Sequence, residues 1–342
     1  MRLSDFDFDL PEDLVAQHPP PERLQARMMV VVRGGGPFRH LGVAGLPGEL
    51  RPGDLVVVND TRVFPARLRG TIGGGRAVEA LFLRPLGGDE WMLLLRPSKK
   101  VKTGDPVRFP PAGLEGEAVR PGGEGEWVVR FPGGVDVAER LERSGEVPLP
   151  PYIRRTPTEE DRSRYQTMFA RETGSVAAPT AGLHFTDNLS AALGERRIAL
   201  ARVTLHVGPG TFRPIRTDDV DAHEMEAECF RIDEAAAEAI GETRRRGGRV
   251  IAVGTTVVRT LESAAAEGRI ARPGAGWTNI FIHPPYEPKV VDGLLTNFHL
   301  PRSTLFLLVC AFAGTDRMKA AYEEAVRERY RFYSYGDCML IL

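Results

Sequence analysis

The sequence predicts an α/β protein with a small all-β part inserted into it. Three observations lead there. Strand, loop and helix recur three times after residue 150, short β-type runs fill residues 63 to 150, and 342 residues provide for two cores at roughly 150 residues per domain.

Leu55 to Val58 is a continuous apolar run of strand length and groups with the α/β part. After it the pattern changes. Arg76 to Leu83, Trp91 to Leu95, Val107 to Phe109, Glu117 to Arg120 and Trp127 to Phe131 read as strands. Gly73-Gly74-Gly75 and Pro121-Gly122-Gly123 are among the turns between them, which suits a small barrel or sandwich. Residues 63–150 are therefore expected as an insert between 1–62 and 151–342. Thr156-Pro157-Thr158-Glu159 combines an N-cap, a first-position proline and a glutamate at the third position, predicting a helix to about Arg171. Ser175 to Ala178 then reads as a strand, Pro179 to Phe185 as a loop, and Thr186 as the cap of a helix through Leu189 and Leu193. The second repeat is Arg249 to Val253, Gly254-Thr255-Thr256, and a helix with Val257, Val258, Leu261, Ala264 and Ala265 on one face. The third is Leu294 to Thr296, a loop from Asn297 to Pro301, and a helix to Ala313 capped by Ser303 or Thr304. Such alternation implies a mainly parallel sheet, open or closed into a barrel, with function in the loops beyond the strand carboxyl ends.

A 42% apolar and 27% charged composition is that of an ordinary globular chain, and a net charge of −1 gives no overall field to draw it onto nucleic acid. Cys229, Cys310 and Cys338 are too few and too widely spaced for a disulfide framework or thiolate metal site, which suits a reducing cytoplasm. The acidic start lacks the character of a signal peptide, and the apolar run Leu305 to Ala313 falls short of the roughly 20 residues that span a membrane. It is expected as a buried helix.

Gly254-Thr255-Thr256 lies where a strand turns into a helix, so free N–H groups and the helix dipole can hold a carboxylate or phosphate; a plain capped helix accounts for it as well. Neither G-x-G-x-x-G nor a Walker sequence occurs. His206 ends the alternating run Ala201 to Val207, just before Gly208-Pro209-Gly210, and His184 and His299 lie in strand-to-helix loops. His223 to Glu228 lacks His-Glu-x-x-His spacing and reads as a solvated acidic stretch, so no metal is expected. Arg96 to Lys102 holds Lys99, Lys100 and Lys102 beside the strand Trp91 to Leu95, which suits RNA phosphates or a charged turn. Asn59-Asp60-Thr61-Arg62 suits an interdomain cleft or a structural turn equally.

Taken together, Leu50 to Asp54, Asn59 to Arg62, Leu95 to Lys100, Gly174 to Thr186, His206 to Phe212, Val253 to Ser263, Asp292 to Leu305 and Tyr330 to Leu342 carry a resemblance that spans nearly the whole chain. In these motifs the chain resembles the S-adenosylmethionine:tRNA ribosyltransferase-isomerase family of queuosine biosynthesis. Three places depart from the family pattern: Arg23 to Arg27 lacks the usual serine, Glu226 replaces a histidine, and His283-Pro284-Pro285 stands where Tyr-Pro-Gly is usual.

The resemblance implies a barrel-like α/β domain interrupted by a small all-β barrel. It also implies transfer and isomerisation of the ribosyl part of S-adenosylmethionine onto 7-aminomethyl-7-deazaguanine (preQ1) at the tRNA wobble position, giving epoxyqueuosine-tRNA, adenine and methionine. S-adenosylmethionine is then a consumed co-substrate, its sulfonium acidifying the neighbouring 5′ carbon, and the site must supply a base and exclude water. On this reading His184 and His206 are the candidates for proton transfer. Thr180, Gly182, Gly254, Thr255, Thr256, Arg259, Asn297, His299 and Thr304 are expected around S-adenosylmethionine, with Glu262 too far along its helix to be the base. Arg62, Arg67, Lys99, Lys100 and Lys102 are expected on the tRNA backbone. Neither a membrane nor an obligate protein partner is expected. The rival readings are a methyltransferase using the same co-substrate, separated by its product S-adenosylhomocysteine, and a non-enzymatic RNA-binding adaptor built around the insert.

Overall fold

The computed structural model describes residues 1–212 and 215–342. Its main sheet has nine strands in the order Gly274–Thr278, Glu228–Ile232, Ala199–Leu205, Leu55–Asn59, Val250–Val253, Gly293–Asn297, Cys338–Ile341, Arg27–Val31 and Arg39–Gly42. The strands from Ala199–Leu205 to Gly293–Asn297 run parallel to their neighbours, whereas Glu228–Ile232 and Cys338–Ile341 pair antiparallel against the ends of that block. The central strands are buried on both faces, which is why Leu55 to Val58 shows no polar alternation. Successive residues divide between two cores. Leu55, Val57, Ala252 and Leu294 join the core that includes the apolar helix Thr304–Ala313, while Val56, Val58, Val253 and Leu295 join the one that includes Leu189 and Leu193.

The expected α/β class with an all-β insert is found, and the insert is a closed barrel rather than a sandwich. Its strands are Glu126–Arg130, Glu90–Arg96, Arg76–Gly87, Arg67–Ile72, Pro106–Phe109 and Leu114–Pro121, in that order around the barrel. Leu68, Phe82, Leu93, Phe109 and Val129 fill it, and the helix Val137–Ser144, capped by Asp136, adds Val137 and Leu141 to the same core. Arg67–Ile72 was not read as a strand, because its arginines and Gly70 hide the alternation. At Gly70 a Cβ would lie 2.1 Å from the Arg108 carbonyl oxygen, so glycine lets two barrel strands approach.

Three local expectations are corrected. The helix after Thr156 spans only Glu159–Arg164, with Thr158 and Asp161 forming the capping box. Asp161 also holds the Arg155 guanidinium and accepts from the Tyr335 hydroxyl, and Gln166 leaves the helix to bond the backbone of Val63. In the first repeat, Glu172–Ser175 pairs with Thr61–Val63 in a separate two-stranded sheet, and Val176 to Ala178 turn away. Ser175 explains the turn: its hydroxyl donates to the Ala177 carbonyl and accepts from the Val207 N–H. In the second repeat Gly254, at φ +93°, is the N-cap of Thr255–Ser263, so the two threonines lie in the first turn and do not cap it.

The three cysteines are free. Among the described residues no helix is long and apolar enough to cross a membrane. Gly70→Ala should destabilise the fold by about 1–3 kcal/mol through overpacking, read as a lowered midpoint in urea unfolding.

Candidate active site

Four parallel strands deliver their carboxyl ends to one edge of the sheet, and the chain leaves them at Asn59, Leu205, Val253 and Asn297. Asn59 ties three of these exits together. Its carbonyl oxygen accepts from the N–H groups of Thr61 and Leu205, and its amide donates to the Leu205 carbonyl at 3.0 Å and to Thr256 Oγ1 at 3.3 Å. Asp60 beside it is buried and accepts from the Thr204 hydroxyl at 2.7 Å.

At this edge Thr180, Gly254, Thr255, Thr256, Asn297 and His299 line one small, partly open pocket of about 40 Å³. The Asn297 amide nitrogen donates to the carbonyls of Tyr333 at 3.0 Å and Asp337 at 3.4 Å, which fixes the orientation of the amide. The same nitrogen lies 3.3 Å from His184 Nε2; with two hydrogens for three neighbours, it donates to the ring only by sharing a hydrogen with the longer Asp337 contact. Asn297 Oδ1 is buried and has no partner in the protein. An unpaired acceptor on a residue that lines this pocket, together with the amino end of helix Thr255–Ser263, suits a ligand group carrying both an N–H donor and an anionic group.

His206 sits on the other side of Val207, a residue that borders both this pocket and a cleft of about 960 Å³ between the barrel and the sheet. Its Nδ1 is 2.8 Å from Thr61 Oγ1, whose hydroxyl is also 3.4 Å from the Glu172 carbonyl. When the hydroxyl donates to that carbonyl it accepts from Nδ1–H, leaving the Nε2 lone pair free. Gly174 makes room for the ring: a Cβ there would lie 2.8 Å from His206 Cε1 and Nδ1. Burial lowers the pKa of His206, partly opposed by Glu172 and Asp60, so the imidazole is neutral at pH 7.

Beneath the cleft, Glu228 accepts from the Gly208 N–H and the Thr211 hydroxyl, both at 3.0 Å, and forms an ion pair with Arg259. Both side chains are buried, at 4% and 3% exposure. The turn after His206 is thus clamped to the helix whose amino end forms the pocket.

A model of the queuosine biosynthesis protein family matches residues 3–341. The chain belongs to that family. It is 53% identical to the S-adenosylmethionine:tRNA ribosyltransferase-isomerase of Anaeromyxobacter dehalogenans (strain 2CP-C), over all of this chain and 99% of the relative. It is 52% identical to the protein of that name from Pelotomaculum thermopropionicum, over the whole of both chains. In three dimensions it is similar to the crystal structure of S-adenosylmethionine tRNA ribosyltransferase from Thermotoga maritima, with 35% identity, coverage of 99% of this chain and 100% of that one, and a TM-score of 0.57.

Within this queuosine-family fold the other expected site residues fall in several places. His299 borders the pocket, but Thr296 Oγ1 at 3.2 Å and the Tyr322 hydroxyl at 3.3 Å occupy its two ring nitrogens. Gly182 packs where a Cβ would meet Thr167 at 2.9 Å, and Thr304 starts its helix while Leu305, one residue on, borders the pocket. Arg259 is engaged by Glu228 and the Ile280 carbonyl, with Nη2 left buried and unpartnered. Glu262 accepts from Tyr286, Lys289, Val290 and Val291 and anchors that loop. Lys99, Lys100 and Lys102 are exposed on the barrel, whereas Arg62 is paired with Glu142 and Arg67 donates to the Leu149 carbonyl.

Sequence reading missed Glu228, which it had placed in a solvated acidic stretch. The correction follows from strand pairing: Glu228 opens Glu228–Ile232 opposite Thr278 and is buried there. Asn59 and Thr61 stand out in the sequence, but apart from their bond to each other their partners lie more than a hundred residues away. Among the described residues no group of three or more His, Cys, Asp or Glu side chains is placed to hold a metal.

Burial lowers the pKa of His184 from 6.5 to about 4 and that of His299 to about 3. The unfolded chain binds protons in this range that the folded chain refuses. Stability should therefore be complete above about pH 6.5 and fall as the pH drops toward 4, and His184→Asn or His299→Asn should flatten that slope in pH-dependent urea unfolding. Glu228→Ala strands a buried guanidinium and should cost about 3–5 kcal/mol in the same measurement, with Glu228→Gln costing less.

Proposed function

We propose that this chain moves the ribosyl group of S-adenosylmethionine onto tRNA and isomerises it in queuosine biosynthesis, the acceptor being preQ1 at the wobble position. The reading rests on membership of a family whose curated relatives, about half identical over their full length, carry that activity in their names. The observation in the fold that supports it most is the adjacency of two spaces across Val207, a small, mainly apolar pocket with the amino end of helix Thr255–Ser263 at its wall and a wide cleft facing the barrel. The first suits one end of the co-substrate, its carboxylate at the helix terminus, and the second a nucleotide that has left its stack.

In this proposal S-adenosylmethionine is a substrate. The free N–H groups and hydroxyls of Thr255 and Thr256 hold its carboxylate at the positive end of their helix, and Asn297 Oδ1 accepts from one of its N–H groups. His184 orients Asn297 from behind. His206, neutral and with a free ring nitrogen at the cleft, accepts a proton during the reaction. Residues 1–62 and 151–342 act as the catalytic domain, and residues 63–150, the inserted barrel domain, present Lys99, Lys100 and Lys102 to the tRNA backbone in the cytoplasm.

Incubation with S-adenosylmethionine and tRNA carrying preQ1 should release adenine and methionine together and leave the carbon skeleton of the ribose on the tRNA, as read by mass spectrometry. S-adenosylhomocysteine as the product would instead make the chain a methyltransferase. His206→Ala should lower kcat by about 10²–10⁴-fold. His184→Ala should act mainly through a raised KM for S-adenosylmethionine.

A further inference from the structure

Among the described residues Trp277 is the most exposed large apolar side chain, at 59%. It lies on Gly274–Thr278, the edge strand of the main sheet, and faces the cleft that also contains His206. Across from it the barrel supplies Arg84, whose guanidinium carbon is 5.6 Å from the centre of the indole ring, and Trp91. A large ring left this open toward solvent, beside a planar cation, offers a π-face that nothing in the chain covers completely.

The cleft continues along the junction of barrel and sheet. Val176, Pro209 and Glu124 border both it and a second cleft of about 820 Å³, whose walls include Arg96 and Lys99, both exposed. The end with the two tryptophans also carries carboxylates, of which Glu124, Glu142 and Glu228 are ion-paired with Arg216, Arg62 and Arg259, and Glu126 and Glu226 border it too, while Arg96 and Lys99 stand at the other end. An open indole face with cations further along the trough matches single-stranded nucleic acid, which presents flat bases and a charged backbone together. A peptide or lipid partner would make no comparable use of an exposed indole with a guanidinium near its ring and exposed cations further along the trough.

We infer that Trp277, with Arg84, forms a stacking platform for an unpaired base of the tRNA loop next to the nucleotide that enters the cleft. This inference rests on the proposed tRNA reaction and adds a positioning residue to it. Stacking there holds the loop open while the target base reaches toward His206, and the cationic end of the trough follows the backbone. No base-specific hydrogen bond is required, so the platform tolerates any base at that position.

The test uses the full chain and a preQ1-containing tRNA, with direct binding measured by fluorescence anisotropy and turnover by product mass. Trp277→Ala should raise the tRNA Kd about tenfold and raise KM for tRNA more than KM for S-adenosylmethionine, and Trp277→Phe should recover most of the loss. Quenching of indole fluorescence on tRNA binding should be smaller in Trp277→Phe than in the parent protein. A Kd for Trp277→Ala within twofold of the parent overturns the inference, and so does a lowered melting temperature with unchanged tRNA affinity, which would make the Arg84 contact purely structural. If the parent protein binds tRNA and forms product, only the platform is lost by those results. If the parent forms no ribosylated tRNA, the proposed reaction itself fails and the platform falls with it.

Discussion

The buried carboxylate of Glu228 is the interaction on which the site depends. A buried carboxylate is costly unless hydrogen-bond donors and an opposite charge meet it. Glu228 meets its own through Arg259, Gly208 and Thr211. Because those partners lie on a helix and on a turn from different parts of the chain, one carboxylate ties the small pocket at the helix terminus to the His206 cleft. Asn59 repeats the device in neutral form, binding the exits of strands Leu55–Asn59 and Ala199–Leu205 to the first turn of helix Thr255–Ser263. Together they make a rigid edge from loops that would otherwise move independently.

Electrostatics then divides the histidines by role. His184 and His299 are enclosed, and burial keeps them neutral and spent on hydrogen bonds to Asn297, Thr296 and Tyr322. His206 is only partly buried, near Glu172 and Asp60, and it alone of the three borders the wide cleft. The same ring is thus enclosed and hydrogen-bonded in two places and open to the wide cleft in the third, where the proposed reaction uses it for proton transfer. The barrel contributes the opposite wall and the exposed Lys99, Lys100 and Lys102, so local cationic groups are available on a chain whose net charge is close to zero.

Much of this was legible in the sequence. Continuous apolar runs such as Leu55 to Val58 report strands buried on both faces, Ser303 and Thr186 report helix starts through their caps, and the apolar helix ending at Ala313 appears where its composition places it. Thr180, Gly254 to Thr256, Asn297 and His299 were chosen as loop residues at strand ends, and the fold gathers them around one pocket because parallel strands end on the same edge. Less legible was whatever long-range pairing decides. Arg67–Ile72 looks polar in isolation and becomes a strand because its neighbours complete a barrel. The helix beginning at Glu159 stops early because Gln166 is claimed by the backbone of Val63.

The sequence by itself determined the class of fold, the positions of most elements and the family, since these follow from local periodicity, caps and long ordered motifs. Only the tertiary structure decided which polar residues are consumed and which are left over. Glu228 looked solvated and is interior, Arg259 looked like a ligand for the substrate and is held by Glu228, and Asn297 keeps one oxygen unpaired. The physical reason is that hydrogen-bond capacity is filled by partners distant in sequence, so the residue type reveals what a side chain can bind while the fold determines what it has already bound.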